Sequence, residues 1–501
     1  MLKHLTNAIL LLLTLLMMSA CSGKKFGDIK DIVKYSQNPA DYLKGEEVKV
    51  PGDLVDPALI QNDFTTRFFA PWNLANPPYS MQEIKWPWRS YKAEGTFAEN
   101  MRPIDEGWFK LMLLEAHFDA YGSISKPGLV IRTTNIRNFP STKPIFKDYT
   151  KAGEGYPFDY NQNSITTANE PILISHYSKT KEWAYIFTSY TSGWVKAHDV
   201  ALIAPDIIAK WSQARQAILI KDELPLYDLN KQFVSNSRIG VMMPIMKVEA
   251  DAYQGILATS KTDGQVTFTI VRVPKDASIS TTLGISSQAI AIMANEFMGK
   301  PYGWGGIYAN RDCSSTLRDI FQPFGLWLPR NSKQQSQIGR VYDISKLKPK
   351  QKEAAIIQNA LPFQTLLYKP GHIMLYIGQK KGKAIVLHNI WGITTKSKSK
   401  EGRNIVGRTV ITTLEPGMEI SGYVKKKSLL NLIESMNIIT MQPTAEPLTI
   451  EPKKEPKKKS RRQRKKEAEE KEKAEKEAKE NAKKQPQPEN DPKDRPKKDK
   501  K

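Results

Sequence analysis

One cysteine and two histidines follow an aromatic, glycine-rich run in an order that suits acyl-transfer chemistry. The run Lys300-Pro301-Tyr302-Gly303-Trp304-Gly305-Gly306 leads to Arg311-Asp312-Cys313-Ser314-Ser315-Thr316-Leu317. Beyond Cys313, helical spacing puts Leu317, Ile320 and Phe321 on one face, so Cys313 is expected at or near a helix amino terminus. Unsatisfied amides and the helix dipole stabilise a thiolate there and can hold a developing oxyanion. A free thiol of pKa about 8.5 is expected to fall in such a place. A thiol nucleophile also needs a base. Of the six histidines, His4 lies in the leading segment, and His117, His176 and His198 precede the cysteine. His372 and His388 follow it, in apolar runs at 369–378 and 384–389. The first run reads as a turn feeding a strand and the second as the next strand. Two adjacent strands can set their histidines in line, so that one ring takes the thiol proton and the other orients it.

The rest of the chain says where such chemistry would take place. Lys3 and His4 precede an apolar run at 8–18, then Ser19, Ala20 and Cys21. A basic start, a short apolar stretch and small residues before a break form a secretory signal rather than a spanning helix. No apolar run elsewhere reaches the roughly 18–20 residues that a membrane-spanning helix needs. Cys21 and Cys313 are the only cysteines, too few for a disulfide framework in an exported protein. If Cys21 is modified, Cys313 stands alone, and nucleophilic catalysis gives a lone exported thiol a reason to exist.

At 501 residues, several domains are needed. Residues 28–119 hold Trp/Pro clusters and a helical pattern at 107–118. Short strands separated by Gly, Pro, Asn and Ser fill 120–205, including 130–132, 172–175, 183–187 and 193–195. A second stretch of this kind covers 214–275. Most of the aromatics in both are expected in barrel cores. A helix is expected at 286–298, capped by Ser287 and stopped by Gly299, and it opens the cysteine domain at 285–425. Residues 440–501 turn into Pro, Lys and Glu and read as a disordered tail. From Glu451 onward there are 22 Lys+Arg against 13 Asp+Glu, so +9 of the net +23 sits in the last 51 residues and +14 in the remainder. That balance favours an anionic setting such as a cell wall, a lipid surface or nucleic acid, without choosing among them. No short-spaced Cys pair, His-x-x-x-His helix or phosphate loop is present, so neither a metal nor a cofactor is expected.

Three resemblances sharpen these readings. The order Pro-Tyr-x-Trp-Gly-Gly, Asp-Cys-Ser-Ser, Pro-Gly-His-Ile-Met-Leu-Tyr-Ile-Gly and a later strand histidine resembles the NlpC-type cell-wall peptidases, over residues 286–424. Glu182-Trp183-Ala184-Tyr185 leading to Ser192-Gly193-Trp194-Val195 resembles bacterial SH3-like domains. The segment ending at Cys21 resembles a lipobox, with Met18 in a place more often held by leucine. Together they imply an α+β fold. A papain-like domain, its antiparallel sheet packed on the nucleophile helix, follows two SH3-like barrels and a helical amino-terminal region. The implied activity is hydrolysis between D-glutamate's side-chain carboxyl and an L-diamino acid in peptidoglycan stem peptides. Cys313 is the implied nucleophile, His372 the base and His388 the third member. Tyr302 would line the site near the oxyanion, Asp312 and Ser314 would recognise the substrate's free amino group, and Ser332 would contribute to the pocket. Cys21 would carry a lipid, placing a monomer at the cell envelope, on the periplasmic face of the outer membrane if the host has two membranes. Two departures concern the substrate rim: Ser315 stands where glycine is more frequent, and residues 347–352 form a basic, insertion-like stretch. Rival readings are a non-catalytic wall-binding lipoprotein and a thiol amidase or acyltransferase. Export argues against nucleic-acid binding by the Lys-rich tail.

Overall fold

In the computed structural model the described residues are 29–43, 54–398 and 400–450, with a few positions between 470 and 476. Cys21, the signal-like segment and almost all of the tail beyond Ile450 lie outside them.

The amino-terminal region is built from short capped helices. Asp56 accepts from the Ala58 amide at 2.8 Å and opens the helix Pro57–Phe68. Asp105 does the same through the Trp108 amide at 2.8 Å for Glu106–Glu115. That second helix stops before the expected residue 118, because His117 takes a left-handed φ of +45°. Further upstream, residues 30–43 fasten to a sheet edge. Asp31 accepts from the Thr413 amide and hydroxyl at 2.8 and 2.7 Å, and the Gln37 side chain exchanges two hydrogen bonds with the Ile411 backbone. A free strand edge is covered in this way.

Two SH3-like barrels follow, and their strands join into one hydrogen-bonded set through a bridge between Leu202 and Gln265. In the first barrel Trp183, Tyr185, Phe187 and Trp194 point into one core. The alternate residues Ala184, Ile186 and Val195 fill another. These aromatics are therefore core, as their strand periodicity requires. Two strands of this barrel, Thr134–Arg137 and Gln162–Thr166, are too polar to read from alternation. The second of them becomes part of the cleft wall.

The cysteine domain is papain-like. Its helix Ser287–Asn295 is capped by Ser286, which accepts from the Ala289 amide at 3.1 Å. The Ser287 hydroxyl, expected to be the cap, donates to the Pro362 carbonyl instead. The sheet runs β1 (Arg340–Asp343), β2 (Thr365–Lys369), β3 (His372–Lys380), β4 (Lys383–Ser397), β5 (Lys400–Thr413), β6 (Ser435–Ile438) and β7 (Leu448–Thr449). Its spatial order is β5-β4-β3-β2-β6-β1-β7, with only the last pair parallel. Ordered pairing thus continues through residue 449. One sheet face packs Ile373, Leu375, Ile385 and Leu387 on Leu317, Ile320 and Phe321 of the helix Cys313–Phe321. The other packs Met374, Tyr376 and Val386 beneath Ala355 and Ile356 of the helix Pro349–Asn359. The basic stretch at 347–352 therefore starts a structural helix. Within it Lys352 is buried, its ammonium donating to the carbonyls of Asn431 and Ile433.

Barrel and cysteine domain touch through Gly305 and Gly306, both at positive φ. A Cβ at Gly305 would lie 2.7 Å from the Gln162 carbonyl oxygen, and one at Gly306 would lie 2.9 Å from Ile165. The Gln162 side chain in turn donates to the Gly305 carbonyl at 3.0 Å. Only glycine allows this approach.

Candidate active site

Cys313 is the first residue of its helix, and Asp312 caps that helix. The Asp312 carboxylate accepts from the Ser315 amide and hydroxyl, both at 2.9 Å, while the Ser315 hydroxyl accepts from the Asp312 amide at 2.9 Å. Ser315 therefore closes a capping box and adds no bulk to the substrate rim.

The two histidines meet as their strand positions imply. The turn at Gly371, with φ of +76°, lets β2 reverse into β3 and places His372 at its start. Its Nε2 lies 2.9 Å from Nδ1 of His388 on the neighbouring β4. His388 Nε2 lies 3.1 Å from the Thr412 hydroxyl, and that hydroxyl donates to the Thr413 carbonyl at 2.7 Å. The tautomers follow from these bonds. A hydroxyl that has already given its proton away must accept, so His388 carries its hydrogen on Nε2. Its Nδ1 then accepts from His372 Nε2–H, and His372 Nδ1 is left with a free lone pair. Both rings are buried. Burial pushes His388 down to about 3, and burial, then the His388 and Lys369 charges, hold His372 well below its ordinary value. At neutral pH both rings are uncharged.

The cysteine departs from the sequence-based expectation. Burial pushes its thiol up to about 11, and the Asp312 charge adds to the rise. The Ile373 amide, Arg330 and Lys369 pull the other way without overcoming it. Desolvation outweighs the helix amino terminus here. The Ile373 hydrogen bond also shows that the sulfur sits beside the residue next to His372.

A cavity of about 480 Å³ opens on Cys313 and is lined by Tyr302, Asp312, Ser314 and Ser332. All four residues singled out for substrate contact thus share one cavity with the thiol. Barrel residues Gln162, Asn163 and Tyr190 and the amino-terminal Tyr79, Trp86 and Tyr91 form its far wall. The sequence did not identify that wall, since these side chains carry no motif.

Arg330 and Thr412 were also missed. The Arg330 guanidinium forks onto Asp312 at 2.7 and 3.2 Å, meets the Ser314 hydroxyl at 3.1 Å and reaches Ser164 of the barrel at 2.7 Å. Asp312 is thus already ion-paired, and among the described residues no other carboxylate lines this cavity. Arg330 lies two residues before Ser332, but nothing in a single arginine announces burial.

Comparison with known proteins agrees with this architecture. Residues 299–402 match the model of the NlpC/P60 family, and residues 10–121 match that of the NLPC_P60 stabilising domain. Residues 144–196 match an SH3 domain of SH3b1 type and 205–248 one of SH3b2 type. Among solved structures, the chain shares its fold with an NlpC/P60 endopeptidase from Photobacterium damselae subsp. piscicida. The TM-score is 0.71 at 23% identity, covering 82% of this chain and 98% of that one. An NlpC/P60 family protein from Bacillus cereus ATCC 10987 aligns with TM-score 0.42 at 12% identity, over 63% of this chain and 100% of that one. No curated protein matches the chain in sequence.

Proposed function

Because the chain carries a domain of the NlpC/P60 family, a family of cysteine peptidases, behind two SH3b-type domains, we propose that it is a peptidoglycan hydrolase cleaving the γ-D-glutamyl–L-diamino acid bond of stem peptides. The observation that carries this reading is the hydrogen-bonded line from Thr412 through His388 to His372, whose free lone pair lies one residue from the Ile373 amide that bonds the Cys313 sulfur.

The steps follow from the protonation states. Cys313 Sγ attacks the γ-carbonyl carbon of D-glutamate while its proton passes to His372 Nδ1. In this reading the Cys313 amide at the helix amino terminus and the hydroxyl of Tyr302, which lines the same cavity, receive the oxyanion. The tetrahedral intermediate collapses, the C–N bond breaks, and His372 gives its proton to the departing amine. A thioester remains on Cys313. Water then attacks it, with His372 taking one proton and returning it to sulfur as the C–S bond breaks, and the freed D-glutamyl acid gives the other proton to solvent. His388 holds His372 in the productive tautomer throughout. We further place the protein at the cell envelope through a lipid on Cys21, on the strength of the leading segment; in the native host, Cys21→Ala should move it from the membrane to the soluble fraction.

The test uses the full chain and L-alanyl-γ-D-glutamyl-diaminopimelate. Mass spectrometry should find free diaminopimelate with the native chain and none with Cys313→Ala. Release that survives Cys313→Ala or a thiol-selective alkylator removes the assignment. Release of another fragment points to an amidase.

A further inference from the structure

A second cavity, about 450 Å³, adjoins the one on Cys313, and the two share Tyr302, Trp304 and Gly371. Cys313, Asp312 and Arg330 line the first, whereas His372 lines the second. The imidazole that removes the thiol proton must later hand it to the departing amine, so the leaving half of the substrate occupies the His372 side. The charges on the two sides differ. Asp312 and Arg330 neutralise one another on the Cys313 side. The His372 side is lined by Lys369, Arg403 and Lys427 and, among the described residues, by no carboxylate.

These cations are only partly answered. Arg403 and Lys427 share the single carboxylate of Glu401, at 2.7 and 2.5 Å. The Lys369 ammonium donates to the Pro370 carbonyl at 2.9 Å, and among the described residues the carboxylate that acts on it is that of Glu434, through its charge and not through a hydrogen bond. Burial lowers Lys369, the Cys313 charge raises it, Arg403 lowers it and Glu434 raises it, so it lies within electrostatic reach of all three. Gly153 of the first barrel, at φ +84°, lies against Arg403: a Cβ there would come within 2.9 Å of the guanidinium. Trp391, Ile393 and Leu432 supply apolar wall between the charges.

We propose that this cavity is the leaving-group site and selects a diamino acid through its free carboxylates, with Lys369 and Arg403 as the specificity-determining pair and Lys427 in support. An aliphatic chain ending in carboxylates suits apolar walls set between cations. The favoured substrate class is a stem peptide whose leaving residue is diaminopimelate-like with unmodified carboxylates. The same residue amidated, or a lysine bearing a further amide-linked residue, is disfavoured. This inference rests on the hydrolase reading for which half of the substrate lies where.

Binding separates the two claims. In the full chain carrying Cys313→Ala, calorimetry should find meso-diaminopimelate bound about tenfold more tightly than its bis-amide, the ratio one charge-assisted hydrogen bond supplies. Adding Lys369→Gln and Arg403→Gln should bring the two affinities to within about threefold, and raised salt should narrow the gap as well. Lys427→Gln, at a side chain 48% exposed, provides a milder second variant if the double change lowers folding. Equal affinities in the Cys313→Ala chain, or a gap that survives the substitutions, overturn the proposal. A chain that discriminates in this way but cleaves no stem peptide overturns the hydrolase reading alone. Equal kcat/KM for free-acid and amidated stems overturns the pocket alone.

Discussion

At the Cys313 sulfur, a helix amino terminus favours charge while burial and the Asp312 carboxylate oppose it, and the thiol ends near 11. A neutral thiol beside a neutral imidazole titrates differently from a preformed ion pair. Below about pH 11 the thiolate fraction should rise tenfold per pH unit, so iodoacetamide alkylation should climb log-linearly and level off only there. A plateau already reached by pH 7 would mean a resting thiolate–imidazolium pair instead. The proposed hydrolysis needs the His372 lone pair, which is lost only when the ring is protonated. With His372 held well below its ordinary value, the acid limb of kcat should lie well below pH 6.5. Thr412 bears on the same tautomer. Thr412→Val removes the acceptor for His388 Nε2–H at almost constant volume, losing about 1 kcal/mol of orientation and therefore about fivefold in kcat. KM should scarcely move, since Thr412 is fully buried and lines neither cavity.

The element that matters most is the helix Cys313–Phe321, because its first turn fixes the sulfur. Asp312 ties that turn to Arg330, and Arg330 ties it to Ser164 on a strand of the first barrel. Both members of the ion pair are nearly buried, with side-chain exposures of 9% and 12%. Removing one partner leaves an uncompensated charge, so Arg330→Met should lower the unfolding free energy by about 3–5 kcal/mol in urea titration. Arg330→Lys should recover only part of it, since one ammonium cannot reproduce a fork that meets Asp312, Ser314 and Ser164 together. If Arg330→Met unfolds like the native chain, the helix terminus is held by other contacts.

For the whole molecule, charge is also buried where the domains meet. Arg311 bonds Asp319 at 2.6 Å within the cysteine domain and reaches Asp222 of the second barrel at 3.0 Å. Arg238, also of that barrel, meets Asp319 at 3.2 Å. From the first barrel Glu170 faces Arg318, yet its Oε1 has no hydrogen-bond partner. Burial pushes its carboxyl up to about 7. A folded-state value raised above the unfolded one means extra protons bound in the fold, so its contribution is fully present below the unfolded value and fades as pH rises through about 7. Glu170→Gln should therefore be more stable than the native chain at pH 8 and show little advantage at pH 5, read from urea midpoints. An equal effect at both pH values would mean that Glu170 does not titrate in this range.

Much of the site was legible because its signals are local. The Asp-Cys-Ser start of a helix, a Pro-Gly turn before His372 and an apolar strand carrying His388 are each written in a few consecutive residues. The barrel tryptophans show their burial through alternation. Tertiary structure alone decided the rest, for a physical reason in each case. Whether Cys313 is charged depends on how much water the fold removes, which no sequence spacing encodes. Arg330, Thr412 and the wall residue Gln162 act through partners between 16 and 166 positions away. Their roles exist only once separate strands and domains meet. The chain's own order singles out Cys313 and His372 as the proposed nucleophile and base; desolvation and contacts distant in sequence set their protonation states and the charges that surround them.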